Sequence, residues 1–146
     1  MDVTLREITN DNFIECIRLN VAEDQKDFVA TNVFSLAEAK ADGVSDPFAI
    51  YADDEMVGFI MYDFEPEESR GCITRLMLDA RFQGKGYGRA AMRQVIDRFS
   101  QIPECKEIQT SYVPANAAAE HLYKDLDFRQ TGEEIDGETI VRMPLA

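Results

Sequence analysis

Six stretches of the chain carry the alternating or continuous apolar residues that predict β-strands, and a seventh strand is predicted from a hairpin signal at Asp136-Gly137. The predicted strands are residues 3–8, 48–52, 56–62, 72–78, 107–113, 129–135 and 138–143. Asp53-Asp54 joins the second strand to the third, and Asp136-Gly137 favours a tight type I′ hairpin between the last two. Pro114 ends the fifth predicted strand, because proline cannot donate a hydrogen bond to a β-ladder.

Helical spacing of apolar residues, together with capping signals, predicts helices between these strands. The predicted helical segments are residues 13–19, 24–30, 35–42, 90–99 and 116–125. Asn10-Asp11-Asn12 offers caps for the first helix, and Ser35-Leu36-Ala37-Glu38 has the sequence of a capping box. Gly43 is expected to end the helix that this box opens. Residues 65–69 are predicted to form a loop, and residues 84–88 a glycine-rich turn.

The order of these elements indicates one α/β domain over residues 1–146, with a mixed sheet and helices on both faces. A content of 45% apolar and 29% charged residues is typical of a globular chain. The apolar runs are too short for a membrane span, and Met1-Asp2-Val3-Thr4 lacks the features of a signal peptide. Cys16, Cys72 and Cys105 are widely spaced, so we expect a reducing, cytoplasmic location. One histidine and no paired-cysteine motif predict no metal site.

Charge is distributed unevenly along the chain. The net charge of −13 disfavours nucleic acid as a partner, because DNA and RNA are polyanions. Residues 1–70 carry −12, whereas residues 75–98 carry +4. The basic segment is therefore either a solvated helix face or a site for an anion.

The basic segment contains a glycine-rich loop between a predicted strand and a predicted helix. The glycines are Gly84, Gly86 and Gly88, and the neighbouring bases are Arg81, Lys85 and Arg89. Glycines allow a ligand to approach the backbone closely, and a helix start offers free N–H groups and the positive end of the helix dipole. These features favour a phosphate or pyrophosphate ligand. The spacing fits neither a nucleotide-hydrolysing P-loop nor a dinucleotide fingerprint, since no Ser or Thr follows Lys85 and the third glycine is misplaced.

Two motifs resemble those of the GNAT superfamily of acetyl-CoA-dependent N-acetyltransferases. Gln83-Gly84-Lys85-Gly86-Tyr87-Gly88 is similar to its Q/R-x-x-G-x-G/A signature. Its second motif is matched by Asn116, Ala119, Leu122-Tyr123 and Phe128. The resemblance implies the GNAT fold, which is a mixed, mostly antiparallel twisted sheet of six to seven strands flanked by about four helices.

A closer resemblance is to the bacterial spermine/spermidine acetyltransferases. Arg75-Leu76-Met77-Leu78-Asp79, residues 25–32, Ser35-Leu36-Ala37 and the tail from Gly132 to Glu138 carry it. It implies acetyl transfer to a small amine such as spermine or spermidine. The chain departs from the superfamily at Asp127, where glycine is usual because the backbone there is often left-handed.

The resemblance also implies roles for individual residues. The backbone N–H of Leu76 would donate a hydrogen bond to the thioester oxygen, and Tyr123 would be the general acid for the leaving thiolate. The implied coenzyme-binding residues are Leu76, Met77, Leu78, Gln83, Gly84, Lys85, Gly86, Tyr87, Gly88, Arg89, Asn116 and Tyr123.

The group that deprotonates the amine cannot be carried over, because Thr74 stands where a related eukaryotic polyamine acetyltransferase group has glutamate. Glu23, Asp27 and Glu55 are candidates for this base and for binding the acceptor, within an acidic first half that would attract a polycation. Other acceptors stay open: a protein or peptide amine, an amino acid, or an aminoglycoside. A non-catalytic acyl-CoA sensor and a homodimer also stay open.

Overall fold

The computed structural model describes residues 2–146 as one seven-stranded sheet with helices on both faces. The strands are β1 (Val3–Glu7), β2 (Asp46–Ala52), β3 (Glu55–Glu65), β4 (Arg70–Leu78), β5 (Glu107–Tyr112), β6 (Arg129–Ile135) and β7 (Glu138–Pro144). The helices are α1 (Phe13–Ile17), α2 (Asn32–Asp42), α3 (Tyr87–Ser100) and α4 (Ala117–Asp125). Short 3-10 turns occupy Glu23–Gln25, Pro66–Glu68 and Ala80–Phe82. None of the helices found in residues 2–146 has the length and apolar composition to cross a membrane.

The strands are arranged in the order β1-β2-β3-β4-β5-β7-β6. Every neighbouring pair is antiparallel except β4 and β5, which are parallel. This confirms the predicted mixed, mostly antiparallel sheet and the number of its strands. The β-hairpin at Asp136-Gly137 is also confirmed, with positive φ values of 51° and 80° that suit a type I′ turn.

The parallel pair of strands is joined over only part of its length. Residues 70–72 of β4 pair with residues 107–109 of β5, and beyond Cys72 the two strands separate. We call this opening the strand split. From Ile73 to Leu78, β4 pairs only with β3, so the edge of β4 that faces the split has no strand partner within the described chain. The Thr110 hydroxyl donates to the Ile73 carbonyl at 2.9 Å and bridges the strands where they begin to diverge.

A β-bulge lies in β4 at the start of the strand split. Met61 pairs with Arg75, whereas Tyr62 pairs with Ile73, so Thr74 is an extra residue with no register partner on β3, although its hydroxyl donates to the Met61 carbonyl at 3.3 Å. A bulge bends its strand and increases the local twist. It therefore helps to turn the second half of β4 away from β5.

The alternation of side chains along the strands gives the sheet an apolar core on each face. Ile60 packs with α3 residues such as Phe99, and Phe59 packs on the other face with Cys16 of α1. Gly71 allows α3 to approach β4, because a Cβ atom there would lie 2.7 Å from the Phe99 ring. These two layers hold the ends of β4, α3 and α4 at the strand split.

Several predicted boundaries were wrong. Helix α1 ends at Ile17 instead of residue 19, and α3 begins at Tyr87 instead of residue 90, so Gly88 of the predicted turn lies inside the helix. Thr31, not Ser35, caps α2: its Oγ1 accepts from the Phe34 N–H at 3.1 Å, and Ser35 is buried inside the helix. The segment predicted as a helix over residues 24–30 contains only the 3-10 turn Glu23–Gln25. The Gln25 side chain, instead of an apolar stripe, holds this turn by accepting a hydrogen bond from the Ala22 N–H at 3.0 Å. Strand β3 continues past Tyr62 to Glu65, since pairing with residues 70–72 extends it. The end of α2 at Gly43 is confirmed, with φ of 70°.

Asp127 has the left-handed backbone expected from the departure noted in the sequence, with φ of 73°. A left-handed backbone destabilises a non-glycine residue by about 1 kcal/mol, and aspartate adopts this conformation more readily than most other residues. Asp127→Gly should therefore raise the melting temperature by about 1–3 °C, whereas Asp127→Ala should lower it. Thermal unfolding measures both. A lower melting temperature for Asp127→Gly would show that the carboxylate, which lies 3.5 Å from Arg129, outweighs the backbone strain.

Candidate active site

A cavity of about 710 Å³ runs from the start of α3, through the strand split, to the segment that precedes α2. We call it the main cavity. All the coenzyme-binding residues predicted from the sequence line it except Lys85, which is exposed to solvent. The fold therefore brings together residues from the glycine loop, β4 and α4 that are up to 47 positions apart in sequence. These residues meet where β4 and β5 separate at the strand split.

The glycine loop forms an open cradle at the start of α3. Gly84 and Gly86 have φ of 75° and 84°, and a Cβ atom at either would meet nothing within 4 Å. Gly86 is the N-cap of α3, so the first turn of the helix points its N–H groups into the cradle. Its positive dipole end favours an anion there. The geometry fits the pyrophosphate group predicted from sequence.

Side chains beside the cradle fix its shape. Gln83 donates to the Leu78 carbonyl at 3.0 Å and exchanges two amide hydrogen bonds of 2.7 and 3.0 Å with Gln25. This pair ties the cradle to the segment that precedes α2. The Gln83 side chain therefore positions the loop, and any contribution of Gln83 to coenzyme binding would come from its backbone.

Asp79 begins the 3-10 turn before the cradle and is buried. Its carboxylate accepts from the Asn20 N–H at 3.0 Å and from Arg81 Nε at 2.8 Å. Burial raises the pKa of Asp79, but the hydrogen bonds from Arg81 and Asn20 outweigh burial and hold the pKa below its ordinary value. Asp79 thus stays ionised and anchors Arg81 at the mouth of the loop.

Tyr123 lies in the last turn of α4 with its ring 5% exposed, and it lines the main cavity. Its ring packs against Tyr112 and Phe128, with centroids 6.1 and 5.8 Å away. Burial raises the pKa of Tyr123 to about 12, with a further increase from Glu138 and an opposing effect of the Thr110 side chain. The hydroxyl therefore keeps its proton at neutral pH and can donate it.

Asn116 and the end of β4 form the wall opposite α3. The Asn116 Oδ1 atom accepts from the Ala119 N–H at 3.2 Å, so this residue caps α4 while also lining the main cavity. Leu76 pairs with Ile60 of β3, and Leu76 and Leu78 pack partly buried against the α3 core. Met77 points to the opposite face, where Asn32 Nδ2 lies 3.8 Å from its sulfur.

A second, smaller cavity of about 230 Å³, which we call the acidic chamber, adjoins the main cavity. The two cavities share the residues Thr74, Arg75, Thr110, Ser111 and Glu138. Asp63, Glu65 and Cys72 complete the acidic wall of the chamber. The Cys72 thiol donates to Glu65 Oε1 at 3.2 Å, and burial raises its pKa, so it stays a thiol rather than a thiolate nucleophile.

Sequence reasoning missed the acids of this chamber. Asp63 and Glu65 alternate with Phe64 at the end of an apolar strand, which places both side chains on one face of β3. Extending the predicted strand by three residues would have shown that shared face. Glu138 could not have been found in this way, because only the pairing of β5 with β7 brings it beside Ser111, whose hydroxyl donates to it at 2.8 Å.

The three acids proposed from sequence for the acceptor are separated by the fold. Asp27 lines the main cavity. Glu23 pairs with Lys26 at 3.0 Å and is 89% exposed, and Glu55 begins β3 after the Asp53-Asp54 turn. Neither Glu23 nor Glu55 lines either of the two cavities described in residues 2–146.

Comparison with known proteins connects this geometry to a family. The sequence profile of the acetyltransferase (GNAT) family matches residues 4–128. The chain belongs to the GNAT acetyltransferase family. It is thus an N-acetyltransferase that uses acetyl-CoA, and the GNAT fold implied by its two motifs is confirmed.

Several GNAT relatives resemble the chain over almost its whole length. A spermine/spermidine N(1)-acetyltransferase of Bacillus subtilis is 28% identical over 148 residues, covering 97% of each chain. The structure of a spermidine N-acetyltransferase from Vibrio cholerae, in complex with CoA and spermine, has a TM-score of 0.75 at 17% identity, covering 98% of this chain and 94% of the other. A ribosomal alpha-N-protein acetyltransferase in complex with coenzyme A has a TM-score of 0.77 at 15% identity, with the same coverage. At sequence identities of 15–17%, the similarity to these two solved structures establishes the fold alone.

The acidic chamber of this GNAT enzyme should make its stability depend on pH. Burial, together with Glu65 and more distant acids, raises the pKa of Asp63 from 3.8 to about 6. The folded protein therefore binds this proton more tightly than the unfolded chain, and the contribution of Asp63 to stability falls as pH rises from about 4 to about 6. Between pH 4 and pH 7, the free energy of unfolding of Asp63→Asn should rise by about 1–2 kcal/mol relative to that of the wild type, allowing for the partial exposure of Asp63. Urea unfolding at both pH values measures this, and a difference that does not change with pH would contradict it.

Proposed function

We propose that this protein transfers the acetyl group of acetyl-CoA to a primary amine of a small polycation such as spermine or spermidine, by direct attack within a ternary complex. One observation carries the proposal: the main cavity passes through the strand split and shares a wall with a chamber lined by carboxylates. A coenzyme and a cation can therefore enter from opposite ends and meet at the split. The names of the Bacillus and Vibrio relatives support the same class of acceptor.

The residues of the main cavity divide the binding of the coenzyme between them. Backbone N–H groups of Gly84, Gly86 and Gly88 at the start of α3 would hold the pyrophosphate, with Arg89 beside them. Tyr87 begins α3 behind the cradle, and the exposed Lys85 adds positive charge at its rim. Met77, Leu78 and the Asn116 amide would line the pantetheine arm. Acetyl-CoA supplies the activated acyl group.

Two groups act at the reacting atoms in this proposal. The backbone N–H of Leu76 would donate to the thioester oxygen, because the edge of β4 at the split lacks a strand partner in the described structure. Tyr123 would give its hydroxyl proton to the sulfur as the C–S bond breaks and the C–N bond remains. The proton that the attacking nitrogen loses would return through solvent to the Tyr123 oxygen, whose raised pKa keeps it protonated at neutral pH. Neither role requires a metal ion or a covalent acetyl-protein.

A panel of acceptors tests the proposal. Release of free CoA from acetyl-CoA is measured with spermine, spermidine, putrescine, lysine, an aminoglycoside and a short peptide. We expect rapid release with spermine or spermidine and little with the others. Release only with the peptide, the amino acid or the aminoglycoside would replace the polyamine by that acceptor. CoA binding without turnover on any amine would favour an acyl-CoA sensor.

A further inference from the structure

We propose that the acidic chamber binds the distal ammonium group of the acceptor amine and that Asp63 is the carboxylate that pairs with it. The inference rests on the proposed amine acetylation and adds to it a residue that makes the enzyme prefer polyamines to monoamines. The reacting nitrogen would lie in the main cavity near Leu76, and the remainder of the acceptor would extend along the strand split into the chamber.

The register of the sheet places Asp63 at the closed end of the strand split. Asp63 pairs with Cys72, the last residue of β4 that is joined to β5. Leu76 lies four residues further along β4, which is roughly 13 Å in an extended strand and less across the bulge at Thr74. The terminal nitrogens of extended spermidine are roughly 11 Å apart at ordinary single-bond lengths. A spermidine acetylated beside Leu76 therefore reaches Asp63 with its other end.

Among the chamber acids, Asp63 is the one left without a partner. Its Oδ1 atom is buried and accepts no hydrogen bond from any described residue. By contrast, Glu65 accepts from Cys72 and lies 3.8 Å from Arg70, while Glu138 accepts from Ser111. A buried carboxylate oxygen without a donor is unfavourable. An ammonium group in the chamber would supply both the donor and the opposite charge.

The charges around Asp63 also favour a cation. The acids that act on it are Glu65, Asp42, Asp46 and Glu38. Arg75, which lines the chamber, pairs with Glu38 at 3.1 Å although its buried Nε has no hydrogen-bond partner among the described residues, and Arg70 pairs with Glu107 at 2.8 Å. Burial and these acids raise the pKa of Asp63 to about 6, so it is ionised at neutral pH and becomes neutral in mild acid. Binding of the distal ammonium should weaken as pH falls through 6.

Asp63→Asn tests the inference, because it keeps the shape of the side chain and removes its charge. We expect the variant to raise the KM for spermidine about 10- to 100-fold, since one partly buried charge pair is lost. The KM for acetyl-CoA and the kcat/KM for butylamine, which has no distal ammonium, should stay within twofold of wild type. Asp97→Asn is the matched control, because Asp97 is exposed on α3 and lines neither cavity.

Equilibrium binding provides a measurement that does not depend on turnover. Calorimetric titration of spermine into the CoA-bound protein should show about 10- to 100-fold weaker binding to Asp63→Asn than to wild type or Asp97→Asn. Equal binding of spermine to all three proteins would overturn the inference, as would a wild type that acetylates butylamine as well as spermidine. If wild type acetylates no amine while the binding difference persists, the chamber assignment stands and the proposed reaction is wrong.

Discussion

We expect the Tyr123→Phe variant to lower kcat by about 10²–10³-fold, which is the usual contribution of a positioned general acid. The substitution removes one oxygen atom from a ring held by Tyr112 and Phe128, so the α4 segment should keep its packing. The leaving thiolate would then depart without its proton donor. Because the pKa of Tyr123 is about 12, the wild-type rate should show no loss from its ionisation below pH 10. Steady-state CoA release across pH measures both effects.

Tyr62→Phe is the matched control for this variant. The Tyr62 hydroxyl accepts from Arg98 at 2.8 Å, and the residue lines neither cavity of the described chain. The same atom is therefore removed away from the site, and kcat should stay within about twofold of wild type. A Tyr123→Phe variant with unchanged kcat and an unchanged KM for acetyl-CoA would contradict the assigned role of Tyr123.

Gly86→Val should weaken CoA binding about 30- to 100-fold. Gly86 has φ of 84°, a conformation in which a β-branched side chain is strongly disfavoured, so the start of α3 must shift. The new side chain would also extend into the cradle, where the described protein has no atom within 4 Å of an added Cβ. A loss of roughly 2–3 kcal/mol of binding free energy corresponds to that factor. Calorimetric titration with CoA measures it.

Gly43→Val separates strain from ligand contact. Gly43 ends α2 with φ of 70°, also has no atom within 4 Å of an added Cβ, and lies outside the main cavity. Both variants should lose similar stability, but only Gly86→Val should lose CoA affinity. If both lost affinity equally, the effect would be global destabilisation and the cradle would have no special role.

Sequence patterns predicted most of the sheet because its central strands are apolar on at least one face. Strand β6 is the exception, since all seven of its residues are exposed, and the hairpin signal at Asp136-Gly137 indicated it instead. The strand order could not be predicted locally, but the hairpin at Asp136-Gly137 and the turn at Asp53-Asp54 fixed two of its neighbours. The start of α2 was mispredicted because a capping-box sequence lies inside the helix, where Ser35 is buried and Thr31 provides the actual cap. Local capping signals compete, and tertiary packing chooses between them.

The residues predicted to hold the coenzyme and those of the acidic chamber are brought together in different ways. Residues 83–89 form one local segment whose glycines and helix start determine its geometry. The acidic chamber is assembled from β3, β4, β5 and β7 by the register of the sheet, so its residues share no local motif. Acids chosen for their place in the acidic first half therefore included Glu23 and Glu55, which the fold leaves outside both cavities. Long-range pairing, and not composition, brings Asp63 to the wall of the chamber.

An order-of-addition experiment tests the central claim, direct acetyl transfer to an amine at the strand split. Enzyme and acetyl-CoA are mixed first, free CoA is followed, and spermine is then added while products are identified by mass spectrometry. We predict no CoA burst before the amine arrives, followed by one N-acetylated spermine for each CoA released. A stoichiometric CoA burst with an acetylated protein, before any amine is added, would contradict direct transfer. CoA release without an N-acetylated product would contradict acetylation of the amine itself.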